Sequence, residues 1–415
     1  MSSPSPHRVV VIGAGMVGLS TAWFLQERGV EVTVIDREGV AAGSSWGNAG
    51  WLSPGLAAPL PEPAVLRYGL KALLDPSAAL YVPFKFDPKL WGFLSSFAMN
   101  CTLKQWKRAM GAYLEINRLA LDAFDQLGHG GVAAQTISAP INAAYEHAEQ
   151  ANEMRHEFEL LAEAGQLVEV TEISGADARR VAPNLSDRIE LVLQLLGQRY
   201  LDPGAFVNSL GDSVAARGAD VRLGGSVRGI DADATGLTVI TDRDDSVRGD
   251  AVVVATGASL GDLASRFGVR TRVQAGRGYS FSVATQEPVP SPIYFPVARA
   301  ACTPYRGGLR VGGTMEFRSQ DAPISQKRVN ALIKATKPVL SGIDWDSVSD
   351  TWVGSRPVTV DGLPLIGATS SPRVFVAGGH GMWGITLGPI TGRLLAEQIV
   401  SSRQPSALSA FGPLR

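Results

Sequence analysis

Three glycines stand in the spacing G-x-G-x-x-G directly behind a short β-branched run, Val9 to Ile12. They are Gly13, Gly15 and Gly18, and an apolar helical pattern follows them. A second β-branched run then ends on Asp36. The first glycine permits a tight turn, the second lets the backbone approach a pyrophosphate, and the third lets the helix lie close to the strand. In this strand–turn–helix–strand context, the spacing predicts a binding site for an adenine dinucleotide.

The charges around this turn narrow the choice of ligand. Backbone N–H groups near Met16 and Val17 lie at a predicted helix N-terminus, where an anion is favoured. The Asp36 carboxylate can accept hydrogen bonds from ribose hydroxyls and would repel a 2′-phosphate, which disfavours NADP. The motif alone does not separate NAD from FAD.

Two further segments favour a ligand larger than NAD. The loop Gly43 to Gly55 is too rich in glycine, serine and asparagine for a helix or strand. Its position behind Asp36 favours contact with the ligand over a plain surface loop. Near the C-terminus an apolar strand pattern, Val374 to Ala377, runs into a glycine turn and a helical pattern, Ile385 to Val400. This second unit predicts a discontinuous nucleotide domain and a cofactor with a second large ring system.

Composition excludes several classes of protein. The chain has 415 residues, 45% hydrophobic and 19% charged, which is typical of a globular enzyme with room for two domains. A net charge of −1 without a basic run argues against nucleic acid as a partner. Two cysteines and five scattered histidines give no metal-binding spacing, so we predict no metal. We expect a reducing, cytoplasmic location, with at most a peripheral contact with the inner face of the membrane.

The remaining pattern predicts the elements that position these residues. Predicted helices are Lys104 to Leu127, Ala148 to Ala164, Pro203 to Arg217 and Ile324 to Leu340. Val273 to Val283 and Gly308 to Phe317 are predicted as antiparallel strands of a second sheet. Aromatic residues between Leu60 and Met110 are interpreted as the core of an inserted domain, with a membrane-contacting face as the weaker alternative. They are Tyr68, Tyr81, Phe84, Phe86, Trp91, Phe93, Phe97 and Trp106.

Five motifs occur in an order that is similar to a known family. They are GAGMVG followed by Asp36, SSWGNAGWLSPG, VVVATGAS, GSRPVTVDGLPLIG and GGHGMWGITLGPITG. Together they resemble the FAD-dependent D-amino acid oxidase superfamily, closest to its D-amino acid dehydrogenase (small subunit) and glycine/sarcosine oxidase branch. The resemblance covers nearly the whole chain. It implies an α/β, two-domain fold, with a discontinuous FAD-binding Rossmann-like domain of the glutathione-reductase type and a substrate domain on an antiparallel sheet with helices. The expected FAD-binding segments are 7–60, 186–270 and 350–415, and the expected substrate-binding segments are 61–185 and 271–349.

The resemblance also implies which residues bind the cofactor. FAD would be held without a covalent bond, because no cysteine lies near the C-terminal glycine turn. The helix that begins after that turn would point its positive end at the flavin and stabilise the anion formed on reduction. The implied FAD-binding residues are Gly13, Gly15, Met16, Val17, Gly18, Asp36, Arg37, Ser44, Ser45, Asn48, Ala49, Gly50, Val227, Thr256, Gly257, Gly379, His380, Gly381, Gly384 and Thr386.

Three residues are implied to act at the substrate. Arg356 matches an arginine that clamps the substrate carboxylate, Tyr279 lies in a segment that lines the site, and His380 is the third candidate. From the residues alone, a buried Arg356 in a loop stiffened by Pro357 needs an anion, either an internal partner, Asp361, or a ligand. The chain departs from its relatives at Leu56 and Pro304, where a tyrosine and an arginine are usual, so the accommodated side chain stays open.

The expected activity follows from this resemblance. A D-amino acid would lose a hydride from its Cα–N unit to the flavin, and the imino acid would hydrolyse to a 2-oxo acid and ammonia. The partners are then a small amino acid or amine bearing a carboxylate, and an electron acceptor, oxygen or a quinone of the respiratory chain. Two alternatives stay open. One is a glycine or sarcosine oxidase acting on glycine or an N-substituted amino acid, and the other is a flavin-carrying electron-relay subunit.

Overall fold

The computed structural model describes residues 5–66, 80–82, 87–233, 236–243 and 245–415. The α-helices are α1 (Met16–Gln26), α2 (Pro88–Asn100), α3 (Leu103–His129), α4 (Asn152–Glu163), α5 (Gly175–Val181), α6 (Pro203–Ala216), α7 (Leu260–Ala264), α8 (Gln326–Thr336) and α9 (Gly384–Ser401). The strands are β1 (Arg8–Ile12), β2 (Glu31–Asp36), β3 (Trp51–Leu52), β4 (Leu80–Tyr81), β5 (Ile137–Ser138), β6 (Ile141–Tyr145), β7 (Val170–Ser174), β8 (Leu191–Leu195), β9 (Arg199–Tyr200), β10 (Asp220–Leu223), β11 (Val227–Ala232), β12 (Leu237–Thr241), β13 (Ser246–Gly249), β14 (Ala251–Val254), β15 (Val273–Thr285), β16 (Ile293–Phe295), β17 (Ala300–Tyr305), β18 (Gly308–Phe317), β19 (Ile343–Thr359), β20 (Leu365–Ala368) and β21 (Val374–Gly378).

A six-stranded sheet carries the first glycine turn. Its order is β10-β2-β1-β14-β21-β20, parallel except for the edge strand β20. β14 lies beside β1 and β21 lies beside β14, and both come from parts of the chain far from β1. The prediction of a discontinuous nucleotide-binding sheet is therefore confirmed. Two glycines of α9 let this helix cross α1 closely, because a Cβ on Gly388 or Gly392 would meet α1 at 2.5 or 2.6 Å.

A nine-stranded sheet forms the other layer. Its order is β19-β15-β18-β17-β16-β6-β8-β7, with β4 beside β18. The predicted antiparallel pairing is present, since β15 runs from Gly276 opposite Phe317 to Ala284 opposite Gly308. β19 corrects one prediction, because Arg356 lies on this strand and not in a loop. The strand is at the sheet edge, where one side needs no ladder hydrogen bond and Pro357 is tolerated.

The helices begin where the sequence supplies caps. Asp87 accepts the N–H groups of Lys89 and Leu90 at the start of α2, and Thr102 accepts that of Gln105 at the start of α3. The helical patterns predicted at 104–127, 148–164, 203–217 and 324–340 are confirmed as α3, α4, α6 and α8, with shorter ends for α4 and α8. Predictions at Tyr68, Phe84 and Phe86 lie outside the described residues.

The two sheets make a two-domain, mixed α/β fold, as predicted. The boundaries of the domains stay a prediction, since β8 falls in the segment 186–270 yet pairs in the nine-stranded sheet, and β19 crosses position 350. Across the described ranges, no α-helix has the length and apolarity that crossing a bilayer requires. The same ranges contain no group of three potential metal ligands.

Candidate active site

The first glycine turn is closed so tightly that two of its positions exclude a side chain. Gly13 has φ +115°, and a Cβ there would lie 2.4 Å from the carbonyl oxygen of Ala255. A Cβ on Gly18 would lie 2.0 Å from the carbonyl oxygen of Gly13. The strand β1, the turn and α1 therefore meet backbone to backbone, which brings the N-terminus of α1 to the carboxyl edge of the sheet.

That N-terminus is open to an anion. Gly15 caps α1 without a side-chain hydrogen bond, and the first turn of the helix contains no acidic residue. The Met16 N–H donates to Ser45 Oγ at 3.1 Å, and Val17 is partly accessible. The residues predicted to meet a pyrophosphate are thus brought together by one turn and the loop above it.

Asp36 accepts backbone hydrogen bonds that the sequence did not predict. One carboxylate oxygen accepts the Ala14 N–H at 2.8 Å, and the other accepts those of Glu38 and Gly39 at 2.9 and 3.0 Å. The carboxylate therefore organises the turn, and it retains acceptor capacity for ribose hydroxyls. The Arg37 side chain is exposed and pairs with Glu38 at 3.0 Å.

The loop 43–55 connects the N-terminus of α1 with the nine-stranded sheet. Asn48 donates to the Ser45 carbonyl at 2.9 Å and accepts the Gly50 N–H at 2.7 Å, which closes the loop on itself. Ser44 Oγ donates to the carbonyl of Ser355 on β19. The carbonyl of Ala49 accepts from Thr303 Oγ1 on β17 at 2.6 Å. The polar residues of this loop hydrogen-bond to other parts of the fold. The alternative of a plain surface loop is therefore wrong.

Thr256 supplies a test of whether a polar ligand fits. Its Oγ1 atom is buried and has no hydrogen-bond partner among the residues that the structure describes. Its backbone nitrogen lies 3.5 Å from where a Gly13 Cβ would stand, so the hydroxyl sits beside the first glycine turn. A buried hydroxyl without a partner is costly, and a hydrogen-bonding ligand atom would offset that cost. Gly257 follows with φ +57°, and Val227 lies half-buried at the start of β11.

The C-terminal glycine turn carries a buried histidine, His380. His380 is 2% exposed, and its Nε2 lies 2.9 Å from Thr391 Oγ1 on α9. Burial lowers the pKa of His380 to about 4, so the imidazole is neutral near pH 7. His380 is not among the described residues that line the cavity. The ring lies in the turn between Gly379 and Gly381, both at positive φ, and binds α9 through Thr391. A catalytic role for His380 stays a prediction.

A cavity of about 590 Å³ opens against the nine-stranded sheet. The loop 47–53, strands β15, β18 and β19, and the start of α9 contribute to its wall. Thr386 lines it and donates its hydroxyl to the Trp51 carbonyl at 3.0 Å, which holds the first turn of α9 against the loop. α9 begins at Gly384 with no acid in its first turn, so its positive end is also open to an anion.

Arg356 is a buried cation in the wall of this cavity. Its Nη1 donates to the Thr314 carbonyl at 2.8 Å, and burial lowers its pKa to about 10. Within the described part of the chain, no carboxylate lies within 4.0 Å of its guanidinium. Asp361, the internal partner that the sequence offered, instead binds Arg415 through both carboxylate oxygens at 2.8 and 3.2 Å. The internal Arg356–Asp361 pair is therefore wrong, and the guanidinium remains to be matched by a ligand.

Tyr279 borders the cavity, but its hydroxyl is committed elsewhere. The hydroxyl donates to Glu316 Oε1 at 2.6 Å and accepts the Ser325 N–H at the start of α8. Glu316 in turn pairs with the buried Arg277 at 2.9 Å. Burial and the adjacent Glu316 raise the pKa of Tyr279 to about 12. Tyr279 therefore lines the cavity as predicted, while its hydroxyl is engaged by Glu316 and Ser325. A role for Tyr279 at the substrate stays a prediction.

One part of the cavity wall was not predicted from the sequence. Glu62, Glu153 and Glu157 line it together with Arg299 and Tyr294. Burial, followed by repulsion from Glu157, raises the pKa of Glu62 to about 7, and burial also raises the pKa of Glu157. Glu153 and Glu157 fall within an ordinary amphipathic helical pattern, and only the fold brings them to Glu62. Leu56 also lines this cavity, whereas Pro304 does not reach its described wall.

This arrangement defines a class. A glycine turn on a discontinuous parallel sheet, joined by the loop 43–55 to a cavity built on an antiparallel sheet, is the arrangement expected of a dinucleotide-dependent oxidoreductase. A family model described as "FAD dependent oxidoreductase" matches residues 8–398, and the chain belongs to this family. The protein is therefore an FAD-dependent enzyme, and the family resemblance predicted from the sequence is confirmed.

Individual relatives extend over almost the whole chain. A D-amino acid dehydrogenase of Phenylobacterium zucineum is 30% identical over 412 residues, 97% of this chain and 95% of the relative. One of Xanthobacter autotrophicus is 29% identical over 405 residues, 96% of each chain. Among solved structures, glycine oxidase from Bacillus cereus has a TM-score of 0.71 at 21% identity, over 96% of each chain. Iminodiacetate oxidase from Chelativorans has a TM-score of 0.73 at 18% identity, over 98% of this chain and 99% of the other. The two structural likenesses concern the fold.

Proposed function

We propose that this enzyme oxidises the Cα–N bond of a D-amino acid to an imino acid, which water hydrolyses to a 2-oxo acid and ammonia. The observation that carries the proposal is Arg356, a guanidinium in the cavity wall without a carboxylate partner among the described residues. A substrate carboxylate would supply the missing anion in a bidentate contact. The relatives named D-amino acid dehydrogenase support the same class of substrate.

The bound FAD supplies the two-electron acceptor for the hydride that leaves Cα. The residues proposed to hold it are Gly13, Gly15, Met16, Val17, Asp36, Ser44, Ser45, Asn48, Val227, Thr256, the turn Gly379 to Gly384, and Thr386. The open N-terminus of α1, the glycine positions that exclude side chains and the partnerless Thr256 hydroxyl support this assignment. Binding is proposed to be non-covalent.

The chain's own residues orient the substrate and exclude water. Arg356 would fix the carboxylate and thereby the direction of the Cα–H bond. The walls formed by Trp51, Trp352 and Trp383 limit the entry of bulk water. An amino acid that arrives with a neutral amine needs no enzyme base, since the nitrogen lone pair itself drives loss of the hydride.

Two alternatives make different predictions for one experiment. The fold likeness to glycine and iminodiacetate oxidases favours a small or N-substituted substrate as the second candidate. An electron-relay subunit would bind FAD and react with no amine. The purified protein is mixed anaerobically with D-amino acids, glycine and N-alkyl glycines while flavin absorbance is followed. Bleaching by D-amino acids is expected, bleaching by N-alkyl glycines alone favours the second candidate, and no bleaching contradicts both.

The electron acceptor is distinguished in the same preparation. If oxygen is the acceptor, readmitting air should restore the yellow colour and release hydrogen peroxide. If a quinone is the acceptor, a quinone analogue should restore the colour faster than air does. The cytoplasmic location and a peripheral membrane contact are further proposals, which fractionation of cells after expression would test.

A further inference from the structure

Arg310 is a buried cation directly behind the cavity wall. It lies on β18 and is 1% exposed. Its Nη1 donates to Ser280 Oγ at 3.1 Å and to the Gly47 carbonyl at 3.4 Å, and Ser280 Oγ donates to the same carbonyl at 2.6 Å. Gly47 and Ser280 both line the cavity, so a single layer of atoms separates the guanidinium from it.

The charge of Arg310 has no anionic partner within the described residues. Its guanidinium carbon lies 4.3 Å from the ring centroid of Tyr305 and 5.0 Å from that of Trp46. Its Nε and Nη2 atoms are buried without a hydrogen-bond partner. By contrast, Arg277 on the neighbouring strand is equally buried but pairs with Glu316 at 2.9 Å. An uncompensated buried cation is costly, and a negatively charged ligand nearby would offset that cost.

Arg310 contacts the loop 43–55, which is predicted to bind the cofactor. Trp46 and Gly47 follow Ser44 and Ser45, which lie between the N-terminus of α1 and β19. Holding the Gly47 carbonyl therefore holds the segment that faces both the glycine turn and the cavity. The aromatic contact with Trp46 acts on the same segment.

We propose that Arg310 is a positioning residue of the flavin site, whose charge favours the negatively charged reduced cofactor over the neutral oxidised ring. Reduction adds two electrons and one proton to the flavin and leaves one negative charge. A fixed cation in a water-excluded site stabilises that charge without reorganising. This inference rests on FAD binding and not on the identity of the amino acid.

The test is the two-electron midpoint potential of bound FAD, measured by dithionite titration with an indicator dye. Arg310→Gln and Arg310→Met remove the charge, and Arg310→Lys keeps it. We expect the equilibrium constant for reduction to fall about tenfold in the Gln and Met variants, which corresponds to about 30 mV for a two-electron couple. The Lys variant is expected to keep the wild-type potential.

Arg306→Gln is the matched control. Arg306 also stacks on Tyr305, at 4.9 Å, but it is exposed and pairs with Asp202 at 2.9 Å. This variant should leave the potential unchanged. An unchanged potential in the neutral Arg310 variants would overturn the proposal, as would neutral variants that cannot be loaded at saturating FAD, because the loss would then be structural. The potential can be measured even if no amino acid reduces the flavin, so the result of the amino acid screen does not affect this test.

Discussion

The guanidinium of Arg356 occupies the space in which a side chain at Gly278 would stand. A Cβ on Gly278 would lie 2.2 Å from Nη2 and 2.3 Å from Cζ of Arg356. Gly278 is on β15 and Arg356 on the adjacent β19, so the two backbones are joined by ladder hydrogen bonds and cannot separate easily. The absent side chain of Gly278 and the Thr314 carbonyl, not a carboxylate, set the position of the cation.

Gly278→Ala should therefore displace the guanidinium. We expect kcat/KM for amino acids to fall about 100-fold, since a misplacement of about 1 Å can cost that much. FAD content should stay at the wild-type level. Gly312→Ala on β18 is the control, because its Cβ would meet its nearest neighbour at an ordinary 3.6 Å. Equal kinetics in both variants would contradict the importance of this contact.

Arg356→Lys should keep the fold and the flavin but lose recognition of the carboxylate. An ammonium cannot reproduce the two parallel hydrogen bonds of a guanidinium, so we expect a loss of about 2–3 kcal/mol in kcat/KM, roughly 30- to 150-fold. Amines of similar size without a carboxylate should be poor substrates of both proteins and react with both alike. Unchanged turnover of amino acids by the lysine variant would place the carboxylate contact elsewhere.

Acid precipitation of the purified protein should release its yellow colour into the supernatant. Cys101 and Cys302 are both buried, and neither belongs to the C-terminal glycine turn. Burial raises the pKa of both thiols, which keeps them protonated and poorly nucleophilic. Colour that remained with the pellet would show a covalent flavin and contradict the assignment.

Asp36→Ala should yield protein that is largely free of flavin, with turnover restored by added FAD. The loss of hydrogen bonds to ribose is expected to cost about 1.5–3 kcal/mol of FAD binding. Because Asp36 also accepts three backbone N–H groups, the variant should unfold at a lower temperature as well. Asp250→Ala is the control, since Asp250 accepts the N–H groups of His7 and Arg8 at a strand start. It should lose stability but keep its affinity for FAD.

The parts of this molecule that could be predicted are those encoded in short contiguous stretches. Both glycine turns carry their strand, turn and helix within about 30 residues, so type and spacing determine the local structure. The pairing of β15 with β18 was predictable from two apolar runs. The family resemblance predicted that Arg356 lies at the substrate. The cost of burying its charge predicted that it needs an anion.

The partners of individual side chains on a strand could not be predicted, because they depend on which face of the strand packs against which part of the fold. Tyr279 and Ser280 are neighbours on β15, yet the Tyr279 hydroxyl binds Glu316 while the Ser280 hydroxyl binds the Gly47 carbonyl in the loop 43–55. A shift of one residue exchanges the two faces, and β15 contains register shifts against both of its neighbours. The sequence therefore indicated the right segment but not which partner each hydroxyl binds.

Glu62 provides a prediction about pH, because its surroundings hold a proton on it. Glu157 and Glu153 on α4 face Glu62 and raise its pKa, whereas Arg299 lowers it, and burial is the largest cause of the net rise to about 7. Cys101 is also near. In the unfolded chain the carboxyl titrates near its ordinary value. Between about pH 4.5 and 7 the folded state therefore binds a proton that the unfolded state has released, and stability falls as pH rises through this window.

Glu62→Gln should remove that loss. At pH 4.5 the variant and the wild type should unfold at similar temperatures, because the Glu62 carboxyl is mostly protonated in the folded protein. At pH 8 the variant should be more stable by about 1–3 kcal/mol, a range reduced from the full pKa difference because water reaches the cavity. Thermal unfolding of FAD-saturated protein at both pH values measures this difference. Glu149→Gln, at an exposed position just before α4, should change the unfolding temperature equally at both pH values. A Glu62→Gln variant with no greater advantage at pH 8 than at pH 4.5 would show that Glu62 is ionised and solvated in the folded enzyme.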